Sequence, residues 1–466
     1  MGAPGHIAID GVASGMLLYF YLPPPGRGLE AQVSEETFLG LLTAFGLAVL
    51  IARIVDSLAS PLVGYASDRS HSRFGRRRSF MLYGLLPMTL LPALAYWPPA
   101  APGSTTNMVT LMLLISCYYI FSTMYVGPHQ ALIPEIAQRA EDRARLSRIV
   151  SVAGIPMGAL VMAWPRIMNW GQDLGLEPTD AIRMIAMAFS LLALAFCALP
   201  LFVIDEARFT HATPSDLPLG DSLTRALRNR PFLIFIITHA VFALATTLIF
   251  PTLPYMATIL LGRSEGFALE LGASMAGTLG IGYAMIPRLL KRFSPKPLMI
   301  GCFALFGVGA ASLGMIHPDI PGGPDDTRNL WIAFLSLGLL GVPLAGSAIL
   351  PSVLLGQIID EERALTGANR SAVFIGFMHT FDKWAYGLAI ALVAFLFARL
   401  GKSPAEPMGV LLIGPIAGIA GILSALLFTL YPNQSGPPVP EPPSLENSQG
   451  EERDSPTASS GSEKNA

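Results

Sequence analysis

Twelve apolar stretches recur along the 466 residues, at about 3–23, 37–67, 80–99, 107–137, 149–169, 180–203, 231–259, 268–290, 297–316, 329–359, 371–400 and 407–430. A membrane span needs roughly 20 apolar residues, and within a bilayer only helices and closed barrels satisfy every backbone polar group. Charged residues make up 13% of the chain, about half the share of a soluble protein. The expectation is an all-α membrane protein with twelve transmembrane helices.

A polar linker divides these helices six and six. The predicted organisation is an N-terminal half at 1–204, a cytoplasmic linker at 205–230, a C-terminal half at 231–430 and a tail at 431–466. The tail is rich in Pro, Ser and Glu and nearly empty of apolar residues, so it is expected to be disordered. The basic loop after the second helix (Arg69, Arg73, Arg76, Arg77, Arg78) has a thinner echo after the eighth (Arg288, Lys291, Arg292, Lys296). Pseudo-symmetric halves of this kind enclose a substrate site in transporters.

With both termini in the cytoplasm, the inside loops hold 19 Arg and Lys and the outside loops and helix ends hold 7. The positive-inside rule therefore favours that orientation, in a plasma membrane such as a bacterial inner membrane. The start MGAPGHIAID lacks a basic n-region, so no removable signal peptide is expected. Cys117, Cys197 and Cys302 lie far apart in apolar stretches and read as packing residues, not as a disulfide or metal set. A net charge of −2 gives no sign of a nucleic-acid partner.

Ionisable residues inside apolar spans are expensive and so mark function by default. Arg53 and Asp56 stand three apart on one face of the second helix. They either neutralise each other or form part of a pathway in which Asp56 takes up a cation or proton. Lys383 lies midway along the eleventh helix and wants a carboxylate from another helix, with Asp56 the leading candidate by depth. Asp382 is next to it in sequence but about 100° round the helix, whereas His379, four residues earlier, shares its face. Asp10, His129, Gln130 and His379 are the candidate cavity residues; His239, Asn369 and Arg370 carry less weight. Asp68, Arg69, Arg73, Gly75, Arg76, Arg77 and Arg78 form a candidate gating loop, in which Gly75 permits a tight turn and the charges pair with neighbouring helices. Its plainer reading is topology alone. No Walker lysine loop, HExxH, CxxC pair or Gly-x-Ser-x-Gly is present, so no enzyme, ATP-driven pump, metal or cofactor is expected.

The stretch from Asp56 to Phe80, D-x-x-x-S-P-L-x-G-x-x-S-D-R-S-x-S-R-F-G-R-R-R-S-F, resembles the motif D-x-x-x-D-P-x-x-G-x-x-S-D-R-T-x-S-x-x-G-R-R-R-P of the glycoside–pentoside–hexuronide:cation symporters. That group, within the major facilitator superfamily, contains the melibiose carrier. VGPHQALIPEI, RNRPFLIF and IIDEERALTGANRS leading into FMHTFDK add to the resemblance. It implies a twelve-helix alternating-access carrier, acting as a monomer, that moves a small solute with Na⁺, Li⁺ or H⁺. Asp56 then matches the first cation-site acid and Lys383 the lysine linked to it, while Ser60 stands where the second acid would be. The sugar-contacting acid falls on Val126, and the helix-5 arginine has no match near Ser151. A cage short of one carboxylate suits Na⁺ poorly, because hard cations want several oxygen ligands. Proton coupling through Asp56 is therefore favoured, with Ser60, Arg53 and Lys383 beside it. A lysolipid carrier of the same fold, and a membrane receptor or scaffold that signals through its tail, are the alternatives.

Overall fold

The computed structural model describes residues 2–38, 40, 42–68, 70, 72, 75–136, 140–203, 228–317, 325–366 and 371–432. Most of the expected linker and of the expected tail, with Asn369 and Arg370, lies outside the described residues. The first part of the chain forms α1 (Ala3–Ala13), α2 (Gly15–Tyr21), a small hairpin of β1 (Thr37–Phe38) and β2 (Leu42–Thr43), α3 (Ala44–Asp68) and α4 (Arg76–Leu94). There follow α5 (Thr105–Ile136), α6 (Ala140–Met162), α7 (Trp164–Asp173) and α8 (Pro178–Val203). After residue 228 come α9 (Arg230–Ile249), α10 (Ala268–Leu289), α11 (Pro295–Ser312), α12 (Asp325–Thr366), α13 (Ser371–Leu400), α14 (Met408–Leu411) and α15 (Ile413–Thr429).

Nine helical stretches among the described residues are long and apolar enough to cross a membrane. The other three expected spans fall short for identifiable reasons. α4 opens on Arg76–Arg78. The first expected helix, 3–23, breaks at Ser14, beside a close contact in which a Cβ on Gly15 would stand 3.1 Å from Pro251 Cα. The expected helix at 149–169 breaks at Ala163, immediately before the Trp164–Pro165 start of α7; proline favours the first turn of a helix and disrupts an interior. The second expected helix begins at Ala44 rather than 37, because 37–43 turns back as the hairpin.

Large apolar side chains such as Leu62, Phe202, Ile419 and Leu426 are exposed. On a soluble monomer that much apolar surface would be a liability; on a spanning bundle it faces lipid tails. Without a hydrophobic drive between helices in lipid, small residues let backbones approach. α11 and α15 do this: a Cβ on Gly418 would stand 2.6 Å from the Ala311 nitrogen, and one on Gly421 would stand 2.9 Å from Gly307 Cα. α9 starts where Asn229 accepts the Phe232 N–H at 3.0 Å, an ordinary N-cap. It ends in a 3₁₀ turn (Phe250–Thr252), one further turn (Leu253–Tyr255) and a π turn (Met256–Leu260), unwound by Pro251 and Pro254.

α3 packs along α5 and α13, and α13 along α9, so α3 and α13 form a long contact between the two sets of helices. A second group of contacts gathers where α2 ends and α10 begins. Tyr255 donates to the Leu18 and Leu22 carbonyls at 3.2 and 2.8 Å. The buried Glu265 carboxylate accepts from Tyr19 Oη at 2.9 Å and pairs with Arg27 Nε at 3.2 Å. Arg166 meets Glu270 at 2.8 Å, and Lys402 meets Glu35 at 2.5 Å.

Candidate functional site

Residues 53, 56, 57 and 60 of α3 are spaced three, four and seven apart, which places them on one stripe of the helix. That stripe faces Lys383, Trp384, Tyr386 and Gly387 of α13. A Cβ on Gly387 would lie 3.1 Å from Arg53 Cβ, so the two helices approach closely here.

Lys383 Nζ reaches across and donates to Asp56 Oδ1 at 2.7 Å, to Ser60 Oγ at 2.6 Å and to Thr123 Oγ1 at 3.3 Å. Thr123 hydroxyl itself donates to Asp56 Oδ1 at 2.7 Å, and Ser60 hydroxyl to the Asp56 carbonyl at 2.9 Å. The Asp56 side chain is 3% exposed and that of Lys383 21%. A buried charge is tolerated only when it is paired and hydrogen-bonded, and this carboxylate has both. Its second oxygen lies 3.5 Å from Arg53 Nη1. Arg53 is held mainly by rings, its guanidinium carbon 3.8 Å from the centre of Tyr119 and 4.0 Å from that of Tyr386. Tyr119 belongs to α5 and Tyr386 to α13, so one cation is clamped between the two sets of helices. Beside them Trp384 Nε1 donates to Ser57 Oγ at 2.9 Å.

The structure thus brings Asp56, Ser60, Arg53 and Lys383 together. Asp10 is exposed and within electrostatic reach of Arg53, Tyr119 and Tyr386. His129 lies apart, stacked on Tyr125 at 5.7 Å and backed by Gly2, within the packing of α1, α5 and α8. Gln130 is exposed. His379 sits 4.0 Å from Asp382, which in turn pairs with His239 at 3.3 Å. In the candidate gating loop Gly75 caps α4 at φ +99°, a conformation that favours glycine, and Arg77 and Arg78 lie in the first turn. Arg69 and Arg73, and the side chains of Asp68 and Arg76, lie outside the described residues.

Sequence reasoning missed Thr123, Tyr119 and Tyr386. Thr123 and Tyr119 are one turn apart on α5, a spacing that was visible, but threonine and tyrosine in an apolar helix carry no charge to draw attention. A cavity of about 140 Å³ between α1, α6 and the segment after α9 is lined by Gly11, Ser14, Val161, Trp164, Pro251 and Leu253 among others. Its wall is mostly apolar, and none of the predicted site residues lines it.

A family model described as MFS/sugar transport protein matches residues 1–431. Among curated proteins, an uncharacterized symporter of Synechocystis is 24% identical over 452 residues, covering 78% of this chain and 80% of its own. An isoprimeverose transporter of Lactiplantibacillus pentosus is 21% identical, covering 76% and 72%. A putative sulfoquinovose importer of Salmonella typhimurium is 23% identical, covering 77% and 74%. The fold is similar to that of a crystallised D-xylose–proton symporter, with a TM-score of 0.64 at 18% identity over 93% of this chain and 96% of that one. It is also similar to the inward-open xylose transporter of E. coli, with a TM-score of 0.63 at 17% identity over 93% and 96%.

Proposed function

The chain belongs to the MFS/sugar transport protein family and is a secondary active transporter of small solutes, and from that premise we propose that Asp56 is its coupling residue and a proton its coupling ion. The observation that carries this reading is the placement of Lys383 Nζ among Asp56 Oδ1, Ser60 Oγ and Thr123 Oγ1. These three oxygens are the ones a bound metal cation would need, and a tethered ammonium fills the space between them. Only one of them is a carboxylate oxygen, a thin ligand set for Na⁺. A proton needs no cage. It neutralises Asp56, removes the charge that holds Lys383, and so loosens α13 from α3. Arg53, already clamped by Tyr119 and Tyr386, keeps the emptied carboxylate compensated.

A ligand drives alternating access only through its different affinity for the two states. The contacts of Glu265 with Arg27 and Tyr19, and of Lys402 with Glu35, act as the gate at one end, and the arginine-rich loop before α4 as the gate at the other. The carrier works as a monomer in a bacterial inner or plasma membrane, with both termini in the cytoplasm. The names of the relatives direct the first substrate search to sugars and sugar sulfonates. Val126, at the position of the family's sugar-contacting acid, keeps other small organic solutes in the search.

Uptake into proteoliposomes tests the coupling. Across a panel of isoprimeverose, lactose, D-xylose and sulfoquinovose, an acid-outside gradient should concentrate a solute in wild-type vesicles, and Asp56→Asn should only equilibrate it. An Asp56→Asn carrier that still concentrates the solute on a pH gradient would refute the assignment.

A further inference from the structure

Lys383 occupies one side of α13, and the residue before it serves another neighbour. Asp382 Oδ1 lies 3.3 Å from His239 Nε2 on α9, and its Oδ2 lies 4.0 Å from His379 Nδ1, about one turn earlier on its own helix. The His239 side chain is 13% exposed, Asp382 30% and His379 52%, so the three run from the packed interior to an open edge. Stacking on Phe235, with ring centres 5.8 Å apart and planes within 10°, fixes the His239 ring. His239 Nδ1 and Asp382 Oδ1 are buried atoms that complete no hydrogen bond of good geometry among the described residues. Buried polar atoms in this state call for a further partner.

The charges around α13 say which one. Asp56 is paired with Lys383 and Arg53, whereas among the described residues the ion-pair partners of Asp382 are His239 and His379. With neutral imidazoles Asp382, 30% exposed, has no charged partner within 4.0 Å among the described residues, and a partly buried carboxylate in that state is penalised. No other described element packed here brings a cation within 4.0 Å of Asp382. α15 and α14 contain no ionisable side chain, and α3 offers only Arg53 and Asp56 at this level. α12 carries Asp360, Glu361, Glu362 and Arg363 near its end, where Glu362 meets Asn229. Asn229 is ten residues before His239, about 15 Å along the helix.

We propose that His239 and Asp382 hold one proton between them, as a second protonation site of the carrier that is separate from Asp56 and borne by the helices after residue 228. The step is the addition of H⁺ from water to a neutral imidazole; one N–H bond forms and the imidazolium faces the Asp382 carboxylate. His379, half exposed and 4.0 Å from the other carboxylate oxygen, is the entry relay, because histidine and carboxylate chains are the side chains that carry protons within spans. Each set of helices then owns one proton site, with Lys383 standing between them.

The test is the protonation state of His239 in the full chain, labelled with ¹⁵N-histidine and held in lipid nanodiscs at pH 7. The chain has seven histidines, and the His239 signals are identified by their loss in both H239Q and H239N. In the wild type both ring nitrogens of His239 should carry protons. In D382N one of the two should be lost, and D382E, which keeps the carboxylate, should retain both. A singly protonated His239 in the wild type, or two ring protons surviving in D382N, overturns the proposal. Asp56→Asn should leave both ring protons in place. Their loss in that variant would merge this site with the Asp56 site and overturn its separateness, while leaving the role of Asp56 in coupling to be decided by uptake.

Discussion

Removing Asp56 should strand Lys383, and the sign of a second substitution shows whether it does. At 2.7 Å and an effective dielectric near 20, the pair attracts by about 6 kcal/mol. Desolvation of two ions offsets most of this, so the net worth of such a pair is small, but breaking it by deleting one partner costs about 3–5 kcal/mol. Lys383 is 21% exposed, which places Asp56→Asn at the lower end, about 3 kcal/mol. For a chain of this size that is a fall in Tm of about 3–6 °C. Lys383→Gln should cost less, because Asp56 keeps the Thr123 hydroxyl at 2.7 Å and Arg53 at 3.5 Å. In the double variant the stranded ammonium is gone. Lys383→Gln should therefore lower Tm in the wild-type background and raise it in the Asp56→Asn background, as read by thermal unfolding of purified protein in one detergent. Additive losses would refute the reasoning, because independent sites add and coupled ones do not.

The clamp on Arg53 predicts that Tyr386→Phe keeps most of its stabilisation, because the ring face supplies it, whereas Tyr386→Leu loses about 1–2 kcal/mol; thermal unfolding of the two variants separates them. Glu265→Gln, which takes the charge from Arg27, should widen the distance distribution between spin labels placed on the loops after α2 and α9, read by pulsed electron resonance; an unchanged distribution would remove that contact from the gate. Burial holds the Lys402 ammonium below its usual value of 10.5, with Glu35 pulling the other way. The folded state thus binds this proton less well than the unfolded one, and stability should rise as pH climbs toward 10.5; the rise should be missing from Lys402→Met in Tm measured from pH 8 to 10. Gly418→Val forces a branched side chain against the Ala311 backbone and should cost about 1–3 kcal/mol in the same unfolding assay.

The acid and base of the candidate coupling site were legible because charge is rare in these spans, so Asp56 and Lys383 stood out against an apolar background. Their mutual distance was inferred from depth alone, and the 2.7 Å contact agrees with that inference. The groups that complete the site were not legible. Thr123, Tyr119 and Tyr386 act by where α5 and α13 place them, and nothing local distinguishes them from other threonines and tyrosines. His239 had little weight for the same reason, since its meaning depends on Asp382 from a helix more than a hundred residues away. The break at Ser14 falls beside a close contact of Gly15 with Pro251, a residue far along the chain. The break before α7 had a local cause in Pro165, and the apolar run across it masked the proline.

The contacts at the end of α2 and the start of α10 have a scale that fits a carrier. Arg166 is exposed and Glu270 about a third exposed, and a pair so open to solvent is worth about 0–1 kcal/mol. Glu265 is buried and takes hydrogen bonds or charge from Tyr19 and Arg27, so breaking its contacts costs about 1.5–3 kcal/mol for a charged group. Lys402 with Glu35 and Tyr255 with the two α2 carbonyls add contributions of about 1 kcal/mol each. The closure therefore amounts to a few kcal/mol. Moving a two-state equilibrium from one side to the other takes about 5.5 kcal/mol of differential binding, the same order. Had this end been sealed by a continuous apolar interface, no small solute and proton could reopen it. Had it rested on exposed pairs alone, it would leak. One buried carboxylate shared by a tyrosine and an arginine, flanked by weaker pairs, puts the proposed gate within reach of the free energy that the proposed proton at Asp56 and a bound solute would together supply.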